Sequence, residues 1–205
     1  MKYLLIDTAN TFFRARHSAH RQSDTWDRLG FALHVTLTSI QKVWREQKAD
    51  HVVFCFEGRS WRKDFYEPYK KNRSVARASL TEAEQEEDRL FWEAFDNLKT
   101  FIFENSNCTA LQHNELEADD LIAGWIQKHT DDEHIIVSSD TDFYQLLSNN
   151  VKQYNGITDE LHTLEGIFNR KGDRVIDKKT KEPKVIPNPE WLLFKKCMRG
   201  DTSDN

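Results

Sequence analysis

Nine acidic side chains of this 205-residue sequence stand at the ends of predicted strands, at the start of a predicted helix, or in the terminal motif GDTSDN. Like charges gathered in one place repel each other unless cations lie among them. No matching set of His or Cys accompanies them, so these hard oxygen ligands point to Mg²⁺ or Mn²⁺ rather than zinc. Two such ions about 4 Å apart form a clamp for in-line displacement at phosphorus. The nine residues are Asp7, Glu57, Glu117, Asp119, Asp120, Asp140, Asp142, Asp201 and Asp204.

Each acid taken singly has a structural explanation. An Asp after a strand often caps the next helix, and Asp119 and Asp120 would also favour the positive end of a helix dipole. A calcium-binding EF-hand loop needs Gly at its sixth position and Glu at its twelfth, and DTDFYQLLSNN lacks both. A phosphatase of the haloacid-dehalogenase type needs a second Asp soon after Asp7, where the sequence has Thr-Ala-Asn. The convergence of the whole set is what favours a metal site.

The segment 59–77 is basic and aromatic. It holds seven Lys or Arg, only two acids, and four interleaved rings. Cations that hold phosphates and rings that stack on bases are typical of a single-stranded nucleic-acid path, although the net charge of the chain is −5. Lys70, as a point charge, and Arg73, as a planar fork, are the candidates for the scissile phosphate. Core packing is an alternative for Trp61 and Phe65. The predicted DNA-binding residues are Arg59, Arg62, Lys63, Tyr69, Lys70, Lys71, Arg73 and Arg77.

Three predicted strands would position these groups. KYLLID ends at Asp7, HVVFCFE ends at Glu57 and HIIVSSD ends at Asp140, and all three are apolar or rich in β-branched residues. CTALQH and VKQY are shorter candidate strands. Strands that alternate with helices predict an α/β fold with a mostly parallel sheet, whose ligands bind beyond the carboxyl ends of the strands.

The predicted helices follow from apolar residues at helical spacing and from capping signals. Thr81 and Glu84 form a capping box that opens a helix with Phe91 and Phe95 on its apolar face, and Asn188 caps a helix that begins with a Pro. Further helices are predicted over residues 26–48, 117–128 and 142–147. The polar stretch 156–186 departs from the alternation, and we interpret it as a surface excursion with a hairpin turn near residues 171–172.

The composition is that of a globular domain. Hydrophobic residues make up 38% and aromatic residues 12%, which suffices for one domain over residues 1–205. No run of eighteen apolar residues and no signal peptide is present, which predicts a cytoplasmic protein without a membrane partner. Cys55, Cys108 and Cys197 are predicted to be buried, reduced thiols.

Six motifs together resemble those of the 5′-nucleases, also called flap endonucleases. They are LLIDTAN, VVFCFEG, YKKNR, ELEADDLIA, VSSDTDFYQLL and GDTSDN, and they follow the family's order from residue 4 to residue 205. The sequence is similar to bacteriophage 5′-3′ exonucleases and to the 5′-nuclease domain of bacterial DNA polymerase I. A phage origin, and with it a location in the host cytoplasm, is suggested by this resemblance alone.

The resemblance implies a PIN-like, resolvase-like fold with a helical arch and two divalent ions. Its activity would be hydrolysis of DNA at junctions between single and double strands, in replication or repair. Asp119 and Asp140 would be catalytic with Lys70 and Arg73. The basic arch region would span about residues 59–90, and a free 5′ end would thread through residues 74–87. The first ion would be held by Asp7, Glu57, Glu117 and Asp119, and the second by Asp140, Asp142 and Asp201, with Asp120 and Asp204 nearby.

Two features depart from the family pattern. Glu57 stands where the family usually has Asp, which moves the carboxylate by one methylene. GDTSDN normally leads into a Gly-rich helical element that grips the duplex and holds a monovalent cation, K⁺. Because the sequence stops at Asn205, this element is expected to be missing or truncated.

The expected partners are DNA with a 5′ flap or a free 5′ end, an RNA–DNA hybrid, and replication proteins, and the expected state is a monomer. A PIN-like ribonuclease and an RNase H-type activity are alternative functions. A non-catalytic module that binds DNA structures is another, but a pure phosphate binder would gain affinity by losing the acidic residues.

Overall fold

The computed structural model describes residues 1–18 and 24–200. In these residues, seven strands form one sheet in the order β3-β2-β1-β4-β5-β6-β7. The first five in this order are parallel, and β6 and β7 are antiparallel additions at one side. The predicted α/β fold with a mostly parallel sheet is therefore confirmed. The strands are β1 Lys2–Asp7, β2 His51–Phe56, β3 Thr109–Gln112, β4 Glu133–Val137, β5 Val151–Asn155, β6 Glu160–Thr163 and β7 Gly166–Asn169.

The central strands are apolar on both faces because both faces are covered. Leu4 and Ile6 of β1 belong to one hydrophobic core, and Tyr3 and Leu5 belong to the other. This division follows from the alternation of side chains along a strand. With both faces buried, the sheet leaves its carboxyl edge as the place where polar groups can gather.

Helices pack on both faces of the sheet. The first core takes side chains from α1, α2 and α5, and the second takes them from α6, the 3₁₀ helix and α7. The predicted capping box of Thr81 and Glu84 is present, and Asn188 caps the last helix as predicted. No helix within the described ranges is long and apolar enough to span a bilayer. The helices are α1 Thr8–Ser18, α2 Thr25–Gln47, α3 Arg62–Phe65, α4 Lys71–Ala78, α5 Glu82–Asn105, α6 Ala118–Lys128, the 3₁₀ helix Thr141–Leu146, and α7 Pro189–Arg199.

The stretch 156–186 differs from its prediction. It is not only a surface excursion, because β6 and β7 extend the central sheet beyond β5. The predicted hairpin turn near residues 171–172 is confirmed, since Phe168 pairs with Arg174 across it. The turn that joins β6 to β7 was not predicted, because these four-residue strands are too short to show a clear alternation.

The predictions for two cysteines are corrected, and the alternative left open for Trp61 and Phe65 is decided. Cys197 is exposed and Cys108 is half-buried, so only Cys55 is a buried thiol. Trp61 and Phe65 are 41% and 84% exposed, so neither is a core residue. Both lie where the chain leaves the sheet beyond β2, among polar neighbours, and they contact each other edge to face.

Candidate functional site

A deep cleft of about 1070 Å³ opens at the carboxyl edge of the sheet. Asp7 is the last residue of β1, and Glu57 directly follows the neighbouring parallel strand β2. Parallel strands end at the same edge, so the two carboxylates meet there. Five of the nine predicted acids line this cleft: Asp7, Glu57, Glu117, Asp119 and Asp140.

Among the cleft acids that form no ion pair with Lys or Arg, Asp7 is the most deeply buried. Its side chain is 6% exposed and accepts hydrogen bonds from the Ser138 hydroxyl at 2.8 Å and the Asn10 amide at 3.2 Å. Burial raises the pKa of Asp7 to about 7, and the charges of Glu57 and Asp119 act in the same direction. The fold therefore places a carboxylate where ionisation is costly.

Glu57 and Asp119 also have raised pKa values. Burial first, and the charge of Asp119 second, raise the pKa of Glu57 to about 6. Burial also raises the pKa of Asp119. The Glu57 carboxylate accepts a hydrogen bond from the Ala118 amide at 3.2 Å, at the positive end of α6.

Gly58 fixes the direction in which the chain leaves β2. A Cβ at this position would lie 1.9 Å from the His113 carbonyl oxygen and 2.7 Å from that of Leu116. The Gly58 amide also donates to the Leu116 carbonyl at 2.9 Å. This close approach ties the end of β2 to the turn before α6, which brings Glu57 next to the acids of that helix.

Glu117 is buried but fully paired. Its carboxylate accepts hydrogen bonds from four side chains, and Lys70 is the nearest of them at 2.6 Å. Burial opposes ionisation, but the bonds from Lys70 and Ser60 outweigh it and lower the pKa of Glu117. The other donors are the hydroxyl of Ser60 at 2.8 Å, the hydroxyl of Tyr69 at 2.9 Å and the guanidinium of Arg62 at 3.0 Å.

Asp120 lies one turn into α6 and faces Arg62. The guanidinium of Arg62 holds both oxygens of Asp120, at 2.8 and 2.9 Å, and lowers the pKa of this carboxyl. Asp120 also accepts the Glu117 amide at 3.0 Å, so the two acids form the N-terminal capping box of α6. Asp120 thus has a local structural role besides any role in ion binding.

Asp140 and Asp142 lie on the turn that follows β4. Asp140 caps the 3₁₀ helix by accepting the Asp142 amide at 2.9 Å, and its side chain lines the cleft. Asp142 instead forms an ion pair with Lys196 of α7 and is not among the residues that line the cleft. The predicted Asp201 and Asp204 lie outside the described residues.

The donor set suits hard divalent cations. It consists of oxygen atoms, and three of its members have raised pKa values because burial and mutual repulsion disfavour their charges. Within residues 1–18 and 24–200, no three His, Cys, Asp or Glu side chains are grouped closely enough to hold an ion in this conformation. The cations of Lys70, Arg62 and Lys196 hold Glu117, Asp120 and Asp142 there.

Basic residues line the same cleft as the acids. Tyr69 and Arg62 contact the site by donating hydrogen bonds to Glu117. Arg59 pairs with Asp64, and Lys71 pairs with Glu67 in an exposed i,i+4 bridge, so these two predicted DNA-binding residues lie outside the cleft. The predicted residues that line it are Lys63, Lys70, Arg73 and Arg77.

Helix α1 contributes residues that were not predicted. Asn10, Phe13, Arg14 and His17 line the cleft, and Trp92 of α5 joins them. Arg14 donates to the Ser39 hydroxyl at 3.3 Å, and burial lowers the pKa of its guanidinium. The spacing of i, i+3, i+4 and i+7 counted from Asn10 could have revealed the four residues of α1, because this helix begins directly after Asp7.

Comparison with known proteins places this geometry in context. Residues 2–178 match the family model described as 5′-3′ exonuclease, N-terminal resolvase-like domain. Ribonuclease H of enterobacteria phage T4 is 32% identical over 144 residues, which cover 62% of this chain and 43% of that protein. Flap endonuclease Xni of Shewanella piezotolerans is 28% identical over 175 residues, which cover 83% of this chain and 62% of that protein. The chain thus spans less than two thirds of either relative.

A solved structure shares the fold. It is a bacteriophage T5 flap endonuclease in a pseudo-enzyme–product complex with DNA and metal ions, with a TM-score of 0.70 and 22% identity. The match covers 100% of this chain and 68% of that one. The sheet and its flanking helices are therefore those of a resolvase-like domain.

Proposed function

We propose that this chain, which belongs to the family of 5′-3′ exonuclease N-terminal resolvase-like domains, is a structure-specific DNA nuclease. It would hydrolyse phosphodiester bonds at junctions between single and double strands, as a flap endonuclease and 5′-3′ exonuclease. The observation that carries the proposal is the cleft itself. Five carboxylates line it together with Lys63, Lys70, Arg73 and Arg77. A pure binding surface has no use for acids of raised pKa beside a phosphate path.

The acids would hold divalent ions, Mg²⁺ or Mn²⁺. When bound, two such ions would lower the pKa of the attacking water and stabilise the leaving 3′ oxygen. Ion binding would also relieve the repulsion that raises the pKa values of Asp7, Glu57 and Asp119. The first ion is assigned to Asp7, Glu57, Glu117 and Asp119, and the second to Asp140, Asp142 and Asp201, with Asp120 and Asp204 nearby.

Lys70 and Arg73 would bind the scissile phosphate. Burial disfavours the charge of Lys70, but its hydrogen bond to Glu117 outweighs this and raises the pKa of the ammonium group. Lys70 therefore stays charged at neutral pH. A fixed cation in a cleft with buried walls stabilises the charge that develops on the phosphate more than it would in water.

The exposed helix α4 and the first turns of α5 would form the arch over a free 5′ end. None of the residues of α4 is buried, and Val75 is 62% exposed. Arg73 and Arg77 of this helix line the cleft one turn apart, so they would guide successive phosphates of a single strand. DNA with a 5′ flap is accordingly the proposed substrate.

Replacement of Asp140 by Asn tests the proposal. The variant keeps the size of the side chain but loses the negative charge in the cleft. We expect cleavage of a labelled 5′-flap substrate in Mg²⁺ to fall at least about a thousandfold, while DNA affinity in EDTA stays near the parental value. Asp131→Asn, an exposed acid at the opposite edge of the sheet, is the matched control and should cleave normally. Parental cleavage by the Asp140 variant, or by the parent in EDTA, would refute the proposal.

A second candidate is removal of RNA from an RNA–DNA hybrid. The observation that favours it is the 32% identity with a protein named ribonuclease H. Substrates of one sequence with a 5′ strand of either ribonucleotides or deoxyribonucleotides distinguish the two. A ratio of kcat/KM well above one for the RNA strand would favour the hybrid as the main substrate. Equal cleavage would indicate that the enzyme recognises the junction and not the sugar.

A further inference from the structure

Two adjacent strands, β5 of the parallel sheet and β6 of its antiparallel extension, contact the turn that carries Asp140 and Asp142. The strand β6 belongs to the stretch 156–186, which matches none of the six motifs of the family and which the sequence placed at the surface. In the structure, Leu161 of β6 instead packs against the first core, and the buried His162 of β6 contacts Tyr144 of the 3₁₀ helix. This stretch therefore has contacts that bear on the cleft.

Gln153 of β5 provides the first contact. It is 1% exposed, and its Nε2 donates to two backbone carbonyls, that of Ser138 at 2.9 Å and that of Asp140 at 2.7 Å. One carboxamide thus spans the whole turn from the end of β4 to Asp140. These two bonds fix the backbone on which the Asp140 side chain stands.

His162 of β6 provides the second contact. It is 3% exposed, and its Nδ1 lies 3.0 Å from the hydroxyl of Tyr144, which is itself buried in the 3₁₀ helix. On the other side of the ring, Nε2 lies 3.5 Å from Glu160. His162 and the Tyr144 hydroxyl therefore share a hydrogen bond, whichever of the two groups donates, two residues after Asp142.

The strand register places the Gln153 and His162 contacts side by side. Gln153 and His162 are direct partners across the antiparallel β5–β6 pair, so their side chains project from the same face of the sheet. The turn they hold is also joined to Asp7. Ser138 donates to Asp7 at 2.8 Å and accepts the Asp140 amide at 3.1 Å. A shift of the turn would therefore move Asp140 relative to Asp7.

We propose that Gln153 and His162 are positioning residues that hold the 138–147 turn, and with it Asp140 and Asp142, in the geometry the cleft requires. The stretch 156–186 is then part of the active-site framework through β6. The inference rests on the proposed function for its effect on cleavage, but its structural part stands independently. Outer partners of ligating side chains typically change metal affinity or activity by 10–100-fold when they are replaced.

The test uses one variant of each contact and a control on the same strand. Gln153→Met removes both amide donors at similar volume, and His162→Leu removes the hydrogen-bond partner of the Tyr144 hydroxyl. His162→Asn is the rescue variant, because its side-chain amide can donate or accept a hydrogen bond near the position of Nδ1. The control is Tyr154→Phe, which removes the hydrogen bond of Tyr154 to Asp159 on the opposite face of β5.

Two readouts separate positioning from general stability. Hydrogen exchange measured on a peptide that covers residues 138–147 reports the turn directly, through the Asp140 and Asp142 amides. We expect faster exchange there in Gln153→Met and His162→Leu, and parental exchange in Tyr154→Phe and His162→Asn. In flap cleavage, kcat should fall about 10–100-fold in the first two variants, with a higher Mg²⁺ concentration at half-maximal rate and an unchanged KM for DNA.

The outcomes are distinguishable. Parental exchange of the turn in both Gln153→Met and His162→Leu would overturn the inference, as would an equal loss of kcat in Tyr154→Phe. If His162→Leu does not fold, Tyr144→Phe removes the same hydrogen bond without a cavity and takes its place. If the parent itself does not cleave DNA, the proposed function fails, whereas the exchange experiment still decides whether the turn is held by β5 and β6.

Discussion

Replacement of Asp7 by Asn should stabilise the metal-free protein while it abolishes cleavage. Asp7 is buried, lies near Glu57 and Asp119, and has its pKa raised to about 7 from 3.8. A group whose pKa is higher in the folded state than in the unfolded chain favours the fold at low pH. That contribution is lost as the pH rises from about 4 to about 7, because the folded protein must then ionise a buried group. Asn keeps the shape of the side chain and carries no charge.

The magnitude follows from the shift. Three pK units at 1.36 kcal/mol each correspond to about 4 kcal/mol of unfolding free energy above pH 7. The Asn side chain can still accept a hydrogen bond from the Asn10 amide. The Ser138 hydroxyl loses its charged acceptor, which lowers the unfolding free energy of the variant by about 1 kcal/mol. We therefore expect the variant to gain about 3 kcal/mol at about pH 8, and to lose slightly at about pH 4.

Urea denaturation in EDTA at these two pH values measures the effect. The difference between variant and parent, compared across the two pH values, isolates Asp7 because Glu57 and Asp119 are present in both proteins. The same denaturation measured with Mg²⁺ provides a second test. Mg²⁺ should stabilise the parent and stabilise the variant much less, because the variant lacks one of the charges that the ion would neutralise. A variant that is less stable than the parent at both pH values would refute the assignment of Asp7 as a strained, buried charge.

Three further predictions concern other parts of the cleft and its supports. Lys70→Met should lower kcat for flap cleavage about 10²–10³-fold. The loss should be the same at every pH, because the hydrogen bond to Glu117 raises the pKa of Lys70. A pH–rate profile in which the loss vanishes at one end would contradict this. Gly58→Ala should lower the unfolding free energy in urea by about 1–3 kcal/mol, because the added Cβ meets backbone oxygens. Gly124→Ala is the control and should be neutral or stabilising, because nothing lies within 4 Å of its added Cβ. Equal effects of the two substitutions would refute the packing argument. Thr81→Ala should cost about 1 kcal/mol in the same assay by removing the N-cap of α5, and an unchanged midpoint would contradict this role.

The elements that place the acids could largely be predicted from the sequence. The apolar runs before Asp7 and Glu57 are local signals, and both strands are present with the carboxylates at their ends. The capping box before α5 and the Asn cap before α7 are equally local, since each depends on residues within one turn. The metal-binding and catalytic roles of these residues stay predictions, and the experiments above test them.

The partners of the charged side chains could not be predicted in this way. Arg62 and Lys70 were assigned to DNA, yet in the structure they hold Glu117 and Asp120. Asp142, assigned to an ion, is paired with Lys196, which lies 54 residues further along the chain. Such pairs depend on how the segments after β2, β4 and β7 pack against one another, and no periodicity in the sequence records that.

The sequence by itself determined which acids stand at the strand ends and the edge of the sheet at which they gather, because strand ends, caps and apolar faces are set by neighbouring residues. Only the tertiary structure decided that β6 joins the sheet opposite Gln153. Pairing between strands is non-local, and short strands such as β6 are stabilised by the sheet they join rather than by their own composition. The contacts of β6 with the 138–147 turn therefore became visible only when the sheet was assembled.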